Sequence, residues 1–67
     1  MEFSKKAQVF LKYLKKNKVY KFAPIDMSLI FGVTNRTIIN WSNELIKNGY
    51  LKPILVNERI RNYEVID

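Results

Sequence analysis

The sequence predicts an α+β fold, in which three helices accompany a small antiparallel sheet. Apolar residues recur at helical spacing over residues 3–16 and again over residues 35–48. Gly32 divides the apolar stretch between those segments, and two β-rich segments with a turn between them close the chain. A chain of 67 residues is expected to form one domain, here residues 1–67.

The first helix is predicted over residues 3–16, with Ser4 placed to cap it. Lysines cover its outer faces, so one side is expected to face the core and the rest to face water. Val9 and Tyr13 lie four residues apart on a neighbouring face, where they either join the core or contact a second copy. A homodimer is therefore left open. The inward stripe consists of Phe3, Ala7, Phe10 and Leu14, joined by Leu11.

A short strand and a second helix are predicted next. Residues 19–22 are β-branched and aromatic, as strands prefer. Pro24 suits the first turn of the following helix, because its missing N–H needs no partner there. Gly32 ends that helix, since glycine accepts a left-handed backbone without a Cβ penalty. The apolar residues that give this helix its pattern are Ile25, Leu29, Ile30 and Phe31.

A tight turn leads into a longer helix. Val33 is expected to be buried between the two helices, and Thr34 offers its hydroxyl as an N-cap. The longer helix is predicted from about Asn35 to Asn48, where an Asn-Gly pair signals its end. A short helix, a glycine-containing bend and a capped longer helix are typical of a helix-turn-helix.

The longer helix has two different sides. Ile38, Trp41 and Leu45 form an apolar stripe, with Ile46 at its edge. Arginine can donate two hydrogen bonds to guanine, and asparagine can exchange two with adenine, so the other side suits base edges in DNA. Lys47 would lie nearer a phosphate. This outer side contains Asn35, Arg36, Ile39, Asn40, Asn43 and Lys47.

A polar helix face is often merely solvated, and that interpretation competes with DNA binding. Glu44 is the only acidic residue between Asp26 and Glu58, whereas a merely soluble helix normally mixes both signs. The scarcity of acidic residues favours the interpretation that this helix face binds another molecule. Ile39 on this side is either a partial core contact or a probe for a thymine methyl.

Two strands joined by a turn close the chain. Pro53 either places the first strand at a sheet edge or marks a local irregularity in it, because proline cannot donate to the ladder. Tyr63 and Val65 share one face of the second strand, and residues 19–22 would supply the third strand that stability requires. The strands are predicted at Tyr50–Val56 and Ile60–Ile66, with the turn at Asn57–Arg59.

Arg59 and Arg61 in this hairpin have two interpretations. Turn residues are often charged because turns face water, and Glu58 and Glu64 could pair with the arginines at little gain in stability. Contact with DNA is favoured, because a hairpin tip beside such a helix has few other uses for guanidinium groups.

The composition narrows the classes of function that this chain could have. Twelve basic and six acidic residues give a net charge of +6, which favours a polyanionic partner, nucleic acid first and anionic membrane second. Histidine and cysteine are absent and the carboxylates are scattered, which argues against an enzyme and against a metal or cofactor. No apolar run approaches the ~20 residues of a membrane span, and the first residues do not resemble a signal peptide. The expected location is the cytoplasm of a prokaryotic cell, or of a host cell if a virus or plasmid encodes the chain.

The run GVTNRTIINWSNELIKNGYL resembles the small winged helix-turn-helix DNA-binding proteins of bacteria, archaea and phages. In those proteins the run begins with glycine, valine, serine or threonine, any residue, arginine, threonine and a hydrophobic residue. It continues to a leucine that lies four residues before a glycine. Leu45, Gly49 and the pair Tyr50-Leu51 fill the later places of that pattern. The ending ILVNERIRNYEVI resembles their wing hairpin.

The resemblance implies a recognition helix at about residues 35–48 in the major groove, capped by Thr34, and a wing at about residues 52–66 on the backbone or in the minor groove. Ser42 stands where leucine is common, so Trp41 is expected to supply the bulk. Asn40 replaces a frequent arginine or lysine and exchanges charge for hydrogen bonding. The residues facing DNA would be Asn35, Arg36, Thr37, Asn40 and Asn43, with Arg59 and Arg61 in the wing.

These observations predict sequence-specific binding of double-stranded DNA by a small transcriptional regulator, with base reading by Asn35, Arg36 and Asn40. A replication or plasmid-maintenance DNA-binding factor is one alternative. A winged-helix module that binds an acidic protein is another. The complete set of predicted DNA-binding residues is Thr34, Asn35, Arg36, Thr37, Asn40, Asn43, Lys47, Arg59 and Arg61.

Overall fold

The structure, a computed structural model, describes residues 4–66. These residues form three helices and a three-stranded antiparallel sheet with strand order β1-β3-β2, which confirms the predicted α+β class. Phe3, predicted to begin the inward stripe of the first helix, lies outside the described residues. The elements are α1 Lys5–Lys16, β1 Lys21–Phe22, α2 Pro24–Phe31, α3 Asn35–Lys47, β2 Leu51–Val56 and β3 Arg59–Val65.

Helix α1 confirms its predicted cap and stripe. The Ala7 N–H donates to Ser4 Oγ at 3.1 Å, which satisfies one of the free amides of the first turn. Ala7, Phe10 and Leu14 are fully buried. Tyr13 is half-buried, with its ring edge-on to Phe31 at 5.1 Å between centroids, so its ring belongs to the rim of the core.

The bend between α2 and α3 forms as predicted. Gly32 has φ of +68°, in the left-handed region, and the Val33 N–H donates to the Ser28 carbonyl at 3.1 Å. The Thr37 N–H donates to Thr34 Oγ1 at 3.2 Å, which confirms Thr34 as the N-cap of α3. Val33 is half-buried, whereas burial was expected.

The apolar residues that give α2 its pattern lie mostly on its outer side. Ile25, Leu29 and Ile30 are exposed and Phe31 is half-buried, while Met27 and Ser28 are buried. Nearly every residue of α2 is apolar, so its sequence does not favour one side, and the flanking β1 strand and Gly32 bend set its rotation. Ser28 tolerates burial because its hydroxyl donates to the Ile25 carbonyl at 2.8 Å.

The inward stripe of α3 is also corrected. Ile38 and Leu45 are fully buried as predicted, but the residue buried between them is Ser42, and Trp41 is only half-buried. Trp41 nevertheless packs against the core from its half-buried position. Its ring packs on Phe10 at 5.6 Å between centroids, and it also borders a cavity of about 270 Å³. Within residues 4–66, Ser42 Oγ is buried without a hydrogen-bond partner.

The sheet confirms three predictions. Strand β1 pairs with β3, so residues 21–22 supply the third strand, although β1 is shorter than the predicted strand at 19–22. Strand β2, which contains Pro53, lies at an edge. Tyr63 and Val65 are buried on one face of β3, and the Tyr63 ring stacks on Phe22 at 5.4 Å between centroids. Burial raises the pKa of the Tyr63 hydroxyl.

Candidate nucleic-acid interface

Helix α3 is held at both ends, which fixes the direction of its outer side. Thr34 caps its start, and at its end the Asn48 side-chain amide donates to the Glu44 carbonyl at 2.8 Å. The Tyr50 N–H then donates to the Leu45 carbonyl at 2.9 Å across Gly49. Burial of Ile38 and Leu45 on the inner side turns the polar side outward.

The outer side of α3 is free to bind another molecule. Arg36, Asn40 and Asn43 are four and three residues apart, so they share one exposed face of the helix. Within residues 4–66, their side chains form no hydrogen bond or ion pair with the protein. The predicted residues of α3 that are exposed are Asn35, Arg36, Asn40, Asn43 and Lys47.

Thr34 and Thr37 are placed differently from the other predicted site residues. Their hydroxyl oxygens lie 3.0 Å apart, and Thr34 also accepts from the Thr37 backbone. Thr34 is exposed and Thr37 is half-buried. The main role of these two hydroxyls is therefore to cap the start of α3, and contact with DNA would be an additional role.

Ile39 lies among the polar residues of the outer side with 38 % of its surface exposed. It is not part of the buried core, so the interpretation of Ile39 as a core contact is not supported. An exposed isoleucine on this side can make apolar contact with a partner.

Glu44 has a structural role that the sequence did not reveal. Its Oε2 accepts from Ser4 Oγ at 2.7 Å, and its Oε1 accepts from the Ser4 N–H at 3.3 Å. The carboxylate thus sits at the start of α1, where a helix favours negative charge. A contact between residues 40 positions apart leaves no local signal in the sequence. The single acidic residue of α3 is therefore directed toward α1.

The β2–β3 hairpin turns through two residues with left-handed backbone. Asn57 has φ of +53° and Glu58 has φ of +65°, and Val56 pairs with Arg59 across them. Two positive φ angles are the mark of a type I′ turn, whose twist suits a tight hairpin. Arg59 therefore begins β3 and is not a turn residue as predicted.

A β-bulge at Arg61 also went unpredicted. Ile54 pairs with Asn62 and Leu55 pairs with Ile60, which leaves Arg61 as the extra residue of β3. A bulge breaks the alternation of side chains and redirects the extra one. Strand periodicity alone cannot locate such an insertion.

The hairpin arginines are both exposed. Glu64 pairs with Lys52, its cross-strand neighbour, at 3.1 Å, so the alternative in which Glu64 pairs with an arginine is not supported. Within residues 4–66, neither Arg59 nor Arg61 forms an ion pair. Both lie at the exposed end of the hairpin, away from its buried base.

Comparisons of the chain with protein-family models, curated proteins and solved structures found no match. Among residues 4–66, no group of three or more histidine, cysteine, aspartate or glutamate side chains could hold a metal ion. In the same part of the chain, every helix is too short or too polar to span a membrane.

Proposed function

We propose that this chain is a winged helix-turn-helix protein that binds double-stranded DNA in a sequence-specific manner. Helix α3 is the recognition helix, and the β2–β3 hairpin is the wing. The order of the elements, the left-handed Gly32 and the Thr34 cap support this assignment. The observation that carries the proposal is the outer side of α3, where Arg36, Asn40 and Asn43 stand exposed with no partner in residues 4–66.

Charge provides the first step of binding. A net charge of +6 on 67 residues attracts a polyanion and raises the association rate. Each phosphate that a lysine or arginine neutralises contributes about −0.9 to the slope of log affinity against log salt concentration. Glu44 does not oppose this attraction on the outer side, because Ser4 holds its carboxylate at α1.

Base recognition follows from the side chains of α3 in the major groove. Arg36 donates two hydrogen bonds to a guanine, and Asn40 pairs with an adenine, each good pair being worth about 1–3 kcal/mol of discrimination. Asn35 and Asn43 extend the contact along the groove, and Lys47 reaches a phosphate.

The wing contributes the second contact. Arg59 and Arg61 are exposed at its end, and the bulge directs Arg61 out of the regular alternation. Guanidinium groups in such a position bind the DNA backbone or enter a narrow minor groove. A small transcriptional regulator is the role that fits these contacts.

Selection of duplexes from a random pool, followed by titration, tests this function. Arg36→Lys keeps the charge but loses the planar two-fold donor. The selected duplex should therefore bind this variant about 5- to 160-fold more weakly, as expected for the loss of a bidentate base contact worth about 1–3 kcal/mol. Affinity for a scrambled duplex should hardly change.

Lys12→Gln on α1 is the control, since it removes one exposed charge outside the proposed interface. It should weaken binding to both duplexes by the same small factor. Failure to enrich any duplex would contradict DNA recognition. Equal losses for Arg36→Lys on both duplexes would remove Arg36 from the base-reading residues.

A further inference from the structure

An open cavity lies between the start of α1 and the bend that leads into α3. It has a volume of about 270 Å³ and a lining that is almost wholly apolar. Phe31 and Trp41 contribute two aromatic rings, which meet edge to face at 5.8 Å between centroids. A concave site with an apolar and aromatic lining and a few polar groups is typical of small-molecule binding. The lining residues are Lys5, Lys6, Val9, Phe31, Val33 and Trp41.

The volume of the cavity limits the size of its occupant. An apolar cavity of about 150 Å³ in another protein holds one benzene molecule. A volume of about 270 Å³ therefore accommodates a body of roughly two fused rings. Aromatic rings also suit this wall, because edge-to-face and offset contacts with Phe31 and Trp41 are favourable beyond the burial of area.

Two lysines determine the charge that the rim of the cavity favours. Lys5 and Lys6 are exposed residues of the first turn of α1, which has no acidic residue of its own. Because the lining is almost wholly apolar, they border the cavity through their carbon chains and hold their ammonium groups at its rim. Within residues 4–66, neither lysine forms an ion pair, and Glu44, whose carboxylate Ser4 holds, does not line the cavity. An anionic group at the rim would meet two cations.

We propose that this cavity is a binding site for a small aromatic carboxylate of about two rings. The rings lie against Phe31 and Trp41, and the carboxylate remains at the rim beside Lys5 and Lys6. Val33 belongs to the bend before α3 and Trp41 to α3 itself, so a bound acid contacts both segments. None of the lining residues belongs to the proposed DNA interface. The inference therefore does not depend on DNA binding, and it is tested without DNA.

Titration of 2-naphthoate into the ¹⁵N-labelled chain at neutral pH tests the proposal. The indole N–H of Trp41, the one tryptophan of the chain, and the amide of Val33 should shift and saturate, whereas the amide of Ile60 in the hairpin should not. A dissociation constant of about 0.1–1 mM is expected for so small a ligand. Naphthylmethanol, which is neutral, should bind about 2- to 30-fold more weakly, as the loss of two exposed ion pairs predicts. The cationic naphthylmethylammonium should bind more weakly still.

Paired variants separate the charge at the cavity from the net charge of the chain. Lys5→Gln with Lys6→Gln should weaken naphthoate binding to the level of the alcohol and leave alcohol binding unchanged. Lys12→Gln with Lys16→Gln is the matched control, because it removes the same charge from exposed positions of α1 that do not line the cavity. It should bind naphthoate nearly as well as wild type. Val9→Phe, at a lining position that is 60 % exposed, should weaken all three probes by filling the space.

The dispersion of the amide spectrum checks that each variant is folded. A Trp41 signal that does not shift and saturate by ~5 mM naphthoate would overturn the proposal. Equal affinity for the three probes, or equal losses in the two pairs of lysine variants, would also overturn it, because the preference would not come from a carboxylate beside Lys5 and Lys6. Absence of DNA binding in a chain that binds naphthoate would contradict only the proposed function.

Discussion

Helices α2 and α3 pack against each other but present opposite kinds of surface. Helix α3 buries Ile38 and Leu45 and exposes polar residues, whereas α2 exposes Leu29 and its apolar neighbours and buries Met27 and Ser28. The contrast between polar and apolar sides fixes the rotation of α3. Helix α2 lacks that contrast, so its neighbours fix its rotation and leave apolar surface in water. The two helices thus differ in the surface that they offer to a partner: polar and partly basic on α3, largely apolar on α2.

Leucine-to-alanine substitutions on α3 and α2 should differ most in their effect on the free energy of unfolding. Leu45→Ala should lower the free energy of unfolding by about 2–5 kcal/mol, because it removes fully buried methyl groups and leaves a cavity. Leu29→Ala should change it by less than ~0.5 kcal/mol, because Leu29 is exposed. Urea unfolding at low protein concentration measures both. Equal losses would mean that α2 is rotated from the described orientation.

Substitutions at Gly32, in the bend between α2 and α3, should have the next largest effect on stability. Gly32→Ala should destabilise the fold by about 1–2 kcal/mol, because alanine is strained in the left-handed conformation. An added Cβ would meet no atom within 4 Å, so crowding does not contribute. Gly32→Asn is the control and should lose less, since asparagine tolerates this conformation. Thermal melts in which Ala and Asn both match wild type would argue against the left-handed bend.

The smallest expected difference in the free energy of unfolding is between alanine substitutions of two buried serines, one on each helix. Ser42→Ala should raise the free energy of unfolding by about 1 kcal/mol, because its buried hydroxyl has no partner within residues 4–66. Ser28→Ala should give no gain, because its hydroxyl donates to the Ile25 carbonyl. Calorimetry of both variants provides the comparison. Destabilisation by Ser42→Ala would indicate that its hydroxyl is hydrogen-bonded in solution.

Local rules made much of this fold predictable. Ser4 and Thr34 as caps, Gly32 as a helix end and Pro53 on an edge strand each depend on a few neighbouring residues, and each was confirmed. The rotation of α2, by contrast, depends on packing with other elements, which a mostly apolar segment does not encode.

The candidate site likewise combines features that local sequence patterns predict with features that depend on contacts between distant residues. Exposure of Arg36 and Asn40 followed from the apolar stripe on the other side of α3. The link from Glu44 to Ser4 joins distant parts of the chain, and the bulge at Arg61 is an irregularity of pairing. Neither could be read from periodicity, although both affect which charges face outward.

Amide chemical shifts of the ¹⁵N-labelled chain, recorded as a selected duplex is added, test whether α3 and the hairpin bind DNA. The largest changes should fall on the outer side of α3, around Arg36, Asn40 and Asn43, with a second group at Arg59 and Arg61. Unchanged α3 amides in the presence of a bound duplex would contradict binding through α3.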